Sequence, residues 1–157
     1  MEAMGKLIKM KVCIVGMRGL GVETAKNLIL AGPASVTLYD PTIVQIQDLS
    51  ANFYLCEADV DEETRADACL AKLKALNPYV DVSVLEEFSG VDDLMGYDVV
   101  VVTEMIPSLG PVEELNQKLR SAGTGFILSE TLGAAGYVFL DYGERHRVFD
   151  PDGEPTR

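Results

Sequence analysis

The sequence predicts an α/β fold, a doubly wound and mostly parallel sheet that ends in an antiparallel hairpin. Three observations predict it. The runs "KVCIVG" (11–16) and "YDVVVVTE" (97–104) are apolar almost throughout, as strands buried on both faces must be. Stretches of helical spacing separate the strand-like runs, so successive strands are joined by crossovers. A glycine-rich turn, Gly16-Met17-Arg18-Gly19-Leu20-Gly21, follows the first strand, and an acid, Asp40, closes the second.

The elements follow in order. After the strand at 11–16, residues Leu20 to Ala31 place Val22, Ala25, Leu28 and Ile29 on one side and Glu23, Lys26 and Asn27 on the other. That is an amphipathic helix, and Gly32-Pro33 stops it. "SVTLYD" (35–40) is the second strand. Residues 41–60 carry no period and read as a loop with room for a short helical turn. "DEETRADACLAKLKALNP" (61–78) reads as a helix with acids in its first turn and lysines near its end, matching the macrodipole. "VDVSVLEEF" (80–88) alternates as a strand does, and 97–104 is the next central strand. Pro111 to Ser121 is helical and closed by Gly123, and "GFILSE" (125–130) is a further strand. Two short runs, 136–142 and 146–150, are joined at Gly143-Glu144 with no helix between them, which predicts the hairpin. No repeat or linker interrupts residues 1–157, so one domain is expected.

Composition narrows the function. The 157 residues carry a net charge of −12. An acidic surface disfavours nucleic acid and anionic membranes, so neither is expected as a partner. No apolar run approaches the ~20 residues of a membrane span, and "MEAMGKLIKM" lacks the apolar core of a signal peptide. The three cysteines, Cys13, Cys56 and Cys69, share no metal-ligand spacing and read as free thiols, Cys13 in a core strand and Cys69 in a helix. The one histidine, His146, sits in the charged run "GERHR" and reads as solvated. No catalytic residue and no metal ligand is therefore assigned.

The glycine turn fails the dinucleotide test. The fingerprint is G-x-G-x-x-G/A. Counted from Gly16, the second glycine position is Arg18; counted from Gly19, the third is Thr24. Asp40 retains the acid that would meet a ribose. The candidate nucleotide pocket is thus Gly16, Arg18, Gly19, Gly21 and Asp40, vestigial in kind and of doubtful binding capacity.

Three stretches carry a family resemblance. "GMRGLGVETAKNLILAGPASVTLYD" resembles the start of an adenylation domain of the ubiquitin-activating enzymes, within the ThiF and MoeB-like superfamily of Rossmann-like folds. Active members have G-x-G-G-L-G, matched here except at Arg18. "DLSANFYLCEADV" (48–60) and "FLDYGERHRVFDPDGEPTR" (139–157) resemble later segments of the inactive half of those enzymes. The resemblance implies that two such halves pair, that ATP and magnesium are bound in the active one, and that this chain is the structural one. It implies that Arg18 would fill phosphate space, so that its guanidinium turns instead to a carboxylate or to the partner half. Ser50 to Tyr54 lacks the phosphate-contacting arginine of active members, Arg65 stands where they carry a lysine, and Glu104 is the acid nearest their magnesium-binding aspartate.

The same resemblance implies partners: the active adenylation half, and ubiquitin through a longer protein of cytoplasm and nucleus. An arginine that reaches the ATP of the other half would lie before the first residue here. An isolated half should also expose an apolar face and self-associate. Two competing readings remain open, the small subunit of a SUMO-activating heterodimer and an autonomous NAD- or ATP-binding Rossmann enzyme. In the latter, Arg18 would be a phosphate ligand.

Overall fold

A computed structural model describes residues 2–146, with side chains from Met4 onward. The elements run α1 (Glu2–Leu7), β1 (Lys11–Val15), α2 (Gly19–Ala31), β2 (Ser35–Tyr39), α3 (Arg65–Lys74), β3 (Asp81–Val84), β4 (Val99–Val102), α4 (Val112–Ala122), β5 (Gly125–Leu132) and β6 (Ala135–Asp141). They build a six-stranded sheet in the order β3-β2-β1-β4-β5-β6, parallel except for the β5–β6 pair. The order reverses between β1 and β4, the switch point of a doubly wound sheet, and ligands of such folds bind at the carboxyl ends of the strands there.

The apolar runs form strands because both of their faces are covered. On one face, Val12, Ile14, Val36 and Leu38 pack under α2 and α3 with Val22, Ile29 and Leu73. On the other, Cys13, Val15, Val100 and Val102 pack with Leu115 and Leu119 of α4 and with Leu94 of the β3–β4 connection. Gly32 and Gly123 close α2 and α4 at positive φ (86° and 79°), as helix-terminal glycines do.

Several expectations change. Helix α3 starts at Arg65, four residues later than the acids suggested. Asp61 has φ 63°, the backbone around it pairs with Val44, and the Thr64 side chain caps the helix by accepting from the Asp67 N–H. The strand expected at 80–88 keeps only 81–84, and 41–60 holds two short 3-10 turns, Ile46–Ser50 and Glu57–Asp59. The hairpin is present, but β6 pairs with β5, turning at Gly133-Ala134. The strand at 125–130 runs on to Leu132 and so reaches the turn directly. Of the other expected arm, 146–150, residues 147–150 lie outside the described residues. Helix α1 was not expected at all.

Candidate functional site: the glycine turn at the β1–β4 switch point

Gly16, Arg18, Gly19, Gly21 and Asp40 all gather where the chain leaves β1. The turn is tight. A Cβ on Gly21 would lie 1.8 Å from the Gly16 carbonyl oxygen, so only glycine permits that approach. Gly16 has φ 92°, and Thr103, just past β4, donates its Oγ1–H to the Gly16 carbonyl at 2.9 Å. Gly19 is roofed by Ala51, to which a Cβ would come within 3.1 Å. The segment after β2 therefore lies directly on the turn.

Asp40 does not face open space. Its side chain is buried; Oδ2 accepts from the Met17 N–H at 2.8 Å and Oδ1 from the Thr42 N–H at 3.0 Å. Arg65, 1% exposed, lies beneath it. Arg65 Nε donates to Asp48 Oδ2 at 2.8 Å, and Nη1 lies 3.5 Å from Asp40 and 3.3 Å from Glu104. Asp48 Oδ2 also accepts from the Gln45 N–H. Arg18 completes the cluster from the solvent side, 53% exposed, with Nε 3.3 Å from Glu104 Oε2 and 3.9 Å from Asp48 Oδ1. As read from the sequence, Arg18 turns to carboxylates. It is also the N-cap of α2 and makes no side-chain capping bond.

The electrostatics follow from this packing. Burial alone would weaken the charge on Arg65, but the Asp48 hydrogen bond and the Asp40, Asp48 and Glu104 charges outweigh it and raise the guanidinium pKa. Glu104 moves up from the ordinary carboxylate value, because desolvation outweighs the pull of Arg18 and Arg65. Three acids and two arginines thus share the mouth of the switch point.

Two clefts open beside this cluster. The cleft beside Arg18, Gly19, Gln47, Asp48 and Ala51 is about 210 Å³, and that beside Tyr39, Asp40 and Glu86 about 170 Å³. Sites for small ligands run from roughly 300 Å³ upward. Among the described residues no His, Cys, Asp and Glu group is arranged to hold a metal ion.

Sequence reasoning missed two members of this site. Asp48 lies in "DLSANFYL" but gave no separate signal. Asn52 is fully buried and donates its Nδ2–H to the Met17 carbonyl at 2.8 Å, tying the roof to the turn. The thiols divide as residue type and context suggest. Cys13 and Cys69 are buried, with pKa values pushed by burial to about 12 and about 11, and Cys56 is exposed. His146 is exposed and stacks on Tyr142 at 4.8 Å between centroids.

Strand order, glycine turn and closing acid together define a Rossmann-like domain. Residues 1–144 match the ThiF family, and the chain belongs to it. It is homologous to the adenylation region of ubiquitin-activating enzymes. It is 42% identical over 152 residues to ubiquitin-activating enzyme E1 1 of Schizosaccharomyces pombe, covering 97% of this chain and 15% of that protein. It is 43% identical over 155 residues to the Arabidopsis thaliana E1 1, covering 98% and 14%. Ubiquitin-like modifier-activating enzyme 6 of Mus musculus matches at 40% over 162 residues, 99% and 15%. The chain thus spans about one-seventh of the length of these relatives. Among solved structures, E. coli MccB with SeMet MccA superposes with a TM-score of 0.75 over 90% of this chain and 43% of that one; at 20% identity it bears on the fold alone.

Proposed function

We propose that this chain is the structural, catalytically silent adenylation half-domain of a ubiquitin-activating enzyme. The carrying observation is the ion cluster at the switch point. Asp40, the acid of the nucleotide fingerprint, has both oxygens engaged by backbone N–H groups and lies beside buried Arg65. A domain that bound ATP would keep that mouth open. On this reading Gly16, Arg18, Gly19, Gly21 and Asp40 are a vestigial pocket. ATP and magnesium belong to the active half with which the domain pairs, and ubiquitin is engaged through the longer protein, in cytoplasm and nucleus. The domain's contribution is to hold that assembly in geometry while adenylate and thioester form on other domains.

Calorimetric titration of the chain with ATP and magnesium tests the reading. The expected outcome is no saturable heat up to millimolar nucleotide. Saturable binding that disappears in Asp40→Ala would sink it and make the chain a candidate adenylating enzyme in its own right.

A further inference from the structure

The ion cluster at the switch point holds one acid more than it holds bases. The charged groups that face Glu104 are Arg18 of the glycine turn, Arg65 of α3, and Asp40 and Asp48 of the segment after β2. The three acids are not held alike. Asp40 accepts two backbone N–H groups, and Asp48 accepts the Gln45 N–H and the Arg65 Nε–H. Among the described residues Glu104 accepts no backbone N–H, and its one hydrogen bond comes from Arg65 Nη1 at 3.3 Å. It is also the acid that water reaches, with a side chain 25% exposed against 2% for Asp48 and 0% for Asp40. Donors keep a carboxylate ionised, so a surplus buried charge takes up a proton where donors are fewest.

The two arginines differ in the same way. Arg65 is fixed by Asp40 and Asp48 whatever happens at Glu104. The Arg18 side chain makes no hydrogen bond among the described residues, and Glu104 is its nearest carboxylate, at 3.3 Å. Its other carboxylate is Asp48, 3.9 Å away and already paired with Arg65. We propose that Glu104 is a proton-sensitive latch on the mouth of the switch point: ionised, it draws Arg18 across the mouth, and protonated, it releases Arg18 to solvent while Arg65 keeps its place. Desolvation, which raises Glu104 above the ordinary carboxylate value, puts the change on the neutral side of that value. The proposal goes beyond the functional reading above and does not depend on it.

NMR on the isotopically labelled 157-residue chain, titrated from about pH 7 to about pH 4 without nucleotide, tests it. The Glu104 carboxyl carbon should titrate with a midpoint above 4.5. The order parameter of the Arg18 Nε–H should fall with the same midpoint, to below about 0.6, while Arg65 stays ordered. In Glu104→Gln, Arg18 should be released already at neutral pH and show no step. Coupling is reciprocal, so Arg18→Ala, at a half-exposed position, should raise the Glu104 midpoint further. An Arg18 order parameter that ignores the Glu104 titration overturns the proposal. So does a step that survives in Glu104→Gln, because another acid then holds Arg18. A Glu104 midpoint that Arg18→Ala leaves unchanged overturns it too, and that variant keeps the test open should Glu104→Gln fail to fold.

Discussion

At the scale of single residues, the two arginines of the switch point differ in what they hold. Arg65 is buried against Asp40, Asp48 and Glu104, so Arg65→Ala strands buried acids without their counter-charge. Breaking a buried pair by removing one partner costs about 3–5 kcal/mol. Arg18 is half exposed, and its attractions are screened, so Arg18→Ala should cost less than about 1 kcal/mol. Urea denaturation of both variants checks the contrast; equal losses would mean that the cluster is not organised around Arg65. Part of this site was legible beforehand. Arg18 in a phosphate-type turn announces itself, because a guanidinium there needs a carboxylate. Arg65 was visible as a departure from the family pattern. Its partners were not, since Asp48 and Glu104 reach it from segments far apart in the chain and carry no local period. Nor does spacing alone reveal that Asp40 receives the Met17 N–H.

Elements with strong local signals matched well, and elements defined by pairing did not. The glycine stops of α2 and α4 and the apolar β1 and β4 could be read directly, because each depends on its own residues. The start of α3 could not, because its backbone is claimed by Val44 across the chain. The β5–β6 pairing could not be read either, because a β partner is chosen by register, and "GFILSETL" runs straight through its turn into β6. At this scale one clasp is testable. Arg120 of α4 donates to both oxygens of Asp141 (2.8 and 2.9 Å), and Asn116 donates to Oδ2 at 3.0 Å. The Gly143 N–H, then Arg120 and Asn116, lower the Asp141 pKa below its ordinary 3.8. A folded-state pKa below the unfolded one stabilises above the unfolded value and is lost as pH falls through the folded one. The melting-temperature advantage of the parent over Asp141→Asn should therefore hold from neutral pH to about pH 4 and shrink below it. A gap that persists in stronger acid would detach the clasp from ionisation of Asp141.

For the whole molecule, architecture was the most legible level. Alternating runs and crossovers leave few ways to wind a sheet, and the lack of a helix before the last strand leaves it an antiparallel edge. Open surface was legible only as a general expectation, since which face lacks a helix depends on the winding. Charge acts at this scale too. With −12 on 157 residues, self-repulsion opposes compactness more than the few surface ion pairs favour it. Thermal stability should rise between low salt and about 0.5 M sodium chloride, where the screening length falls to several ångströms. A melting temperature that falls with salt would mean that local ion pairs outweigh net repulsion.

The parallel pairing of β1 with both β2 and β4 also sets an order of events during synthesis. Val12 finds its β2 neighbour Val36 early, but its other neighbour is Val99. While the chain is made from its N-terminus, "VCIV" must wait with one edge unpaired until most of the described sequence has left the ribosome. Contacts between residues so distant in sequence form slowly. A nascent chain halted before Val99 would therefore be a ready client for chaperones that hold apolar strands.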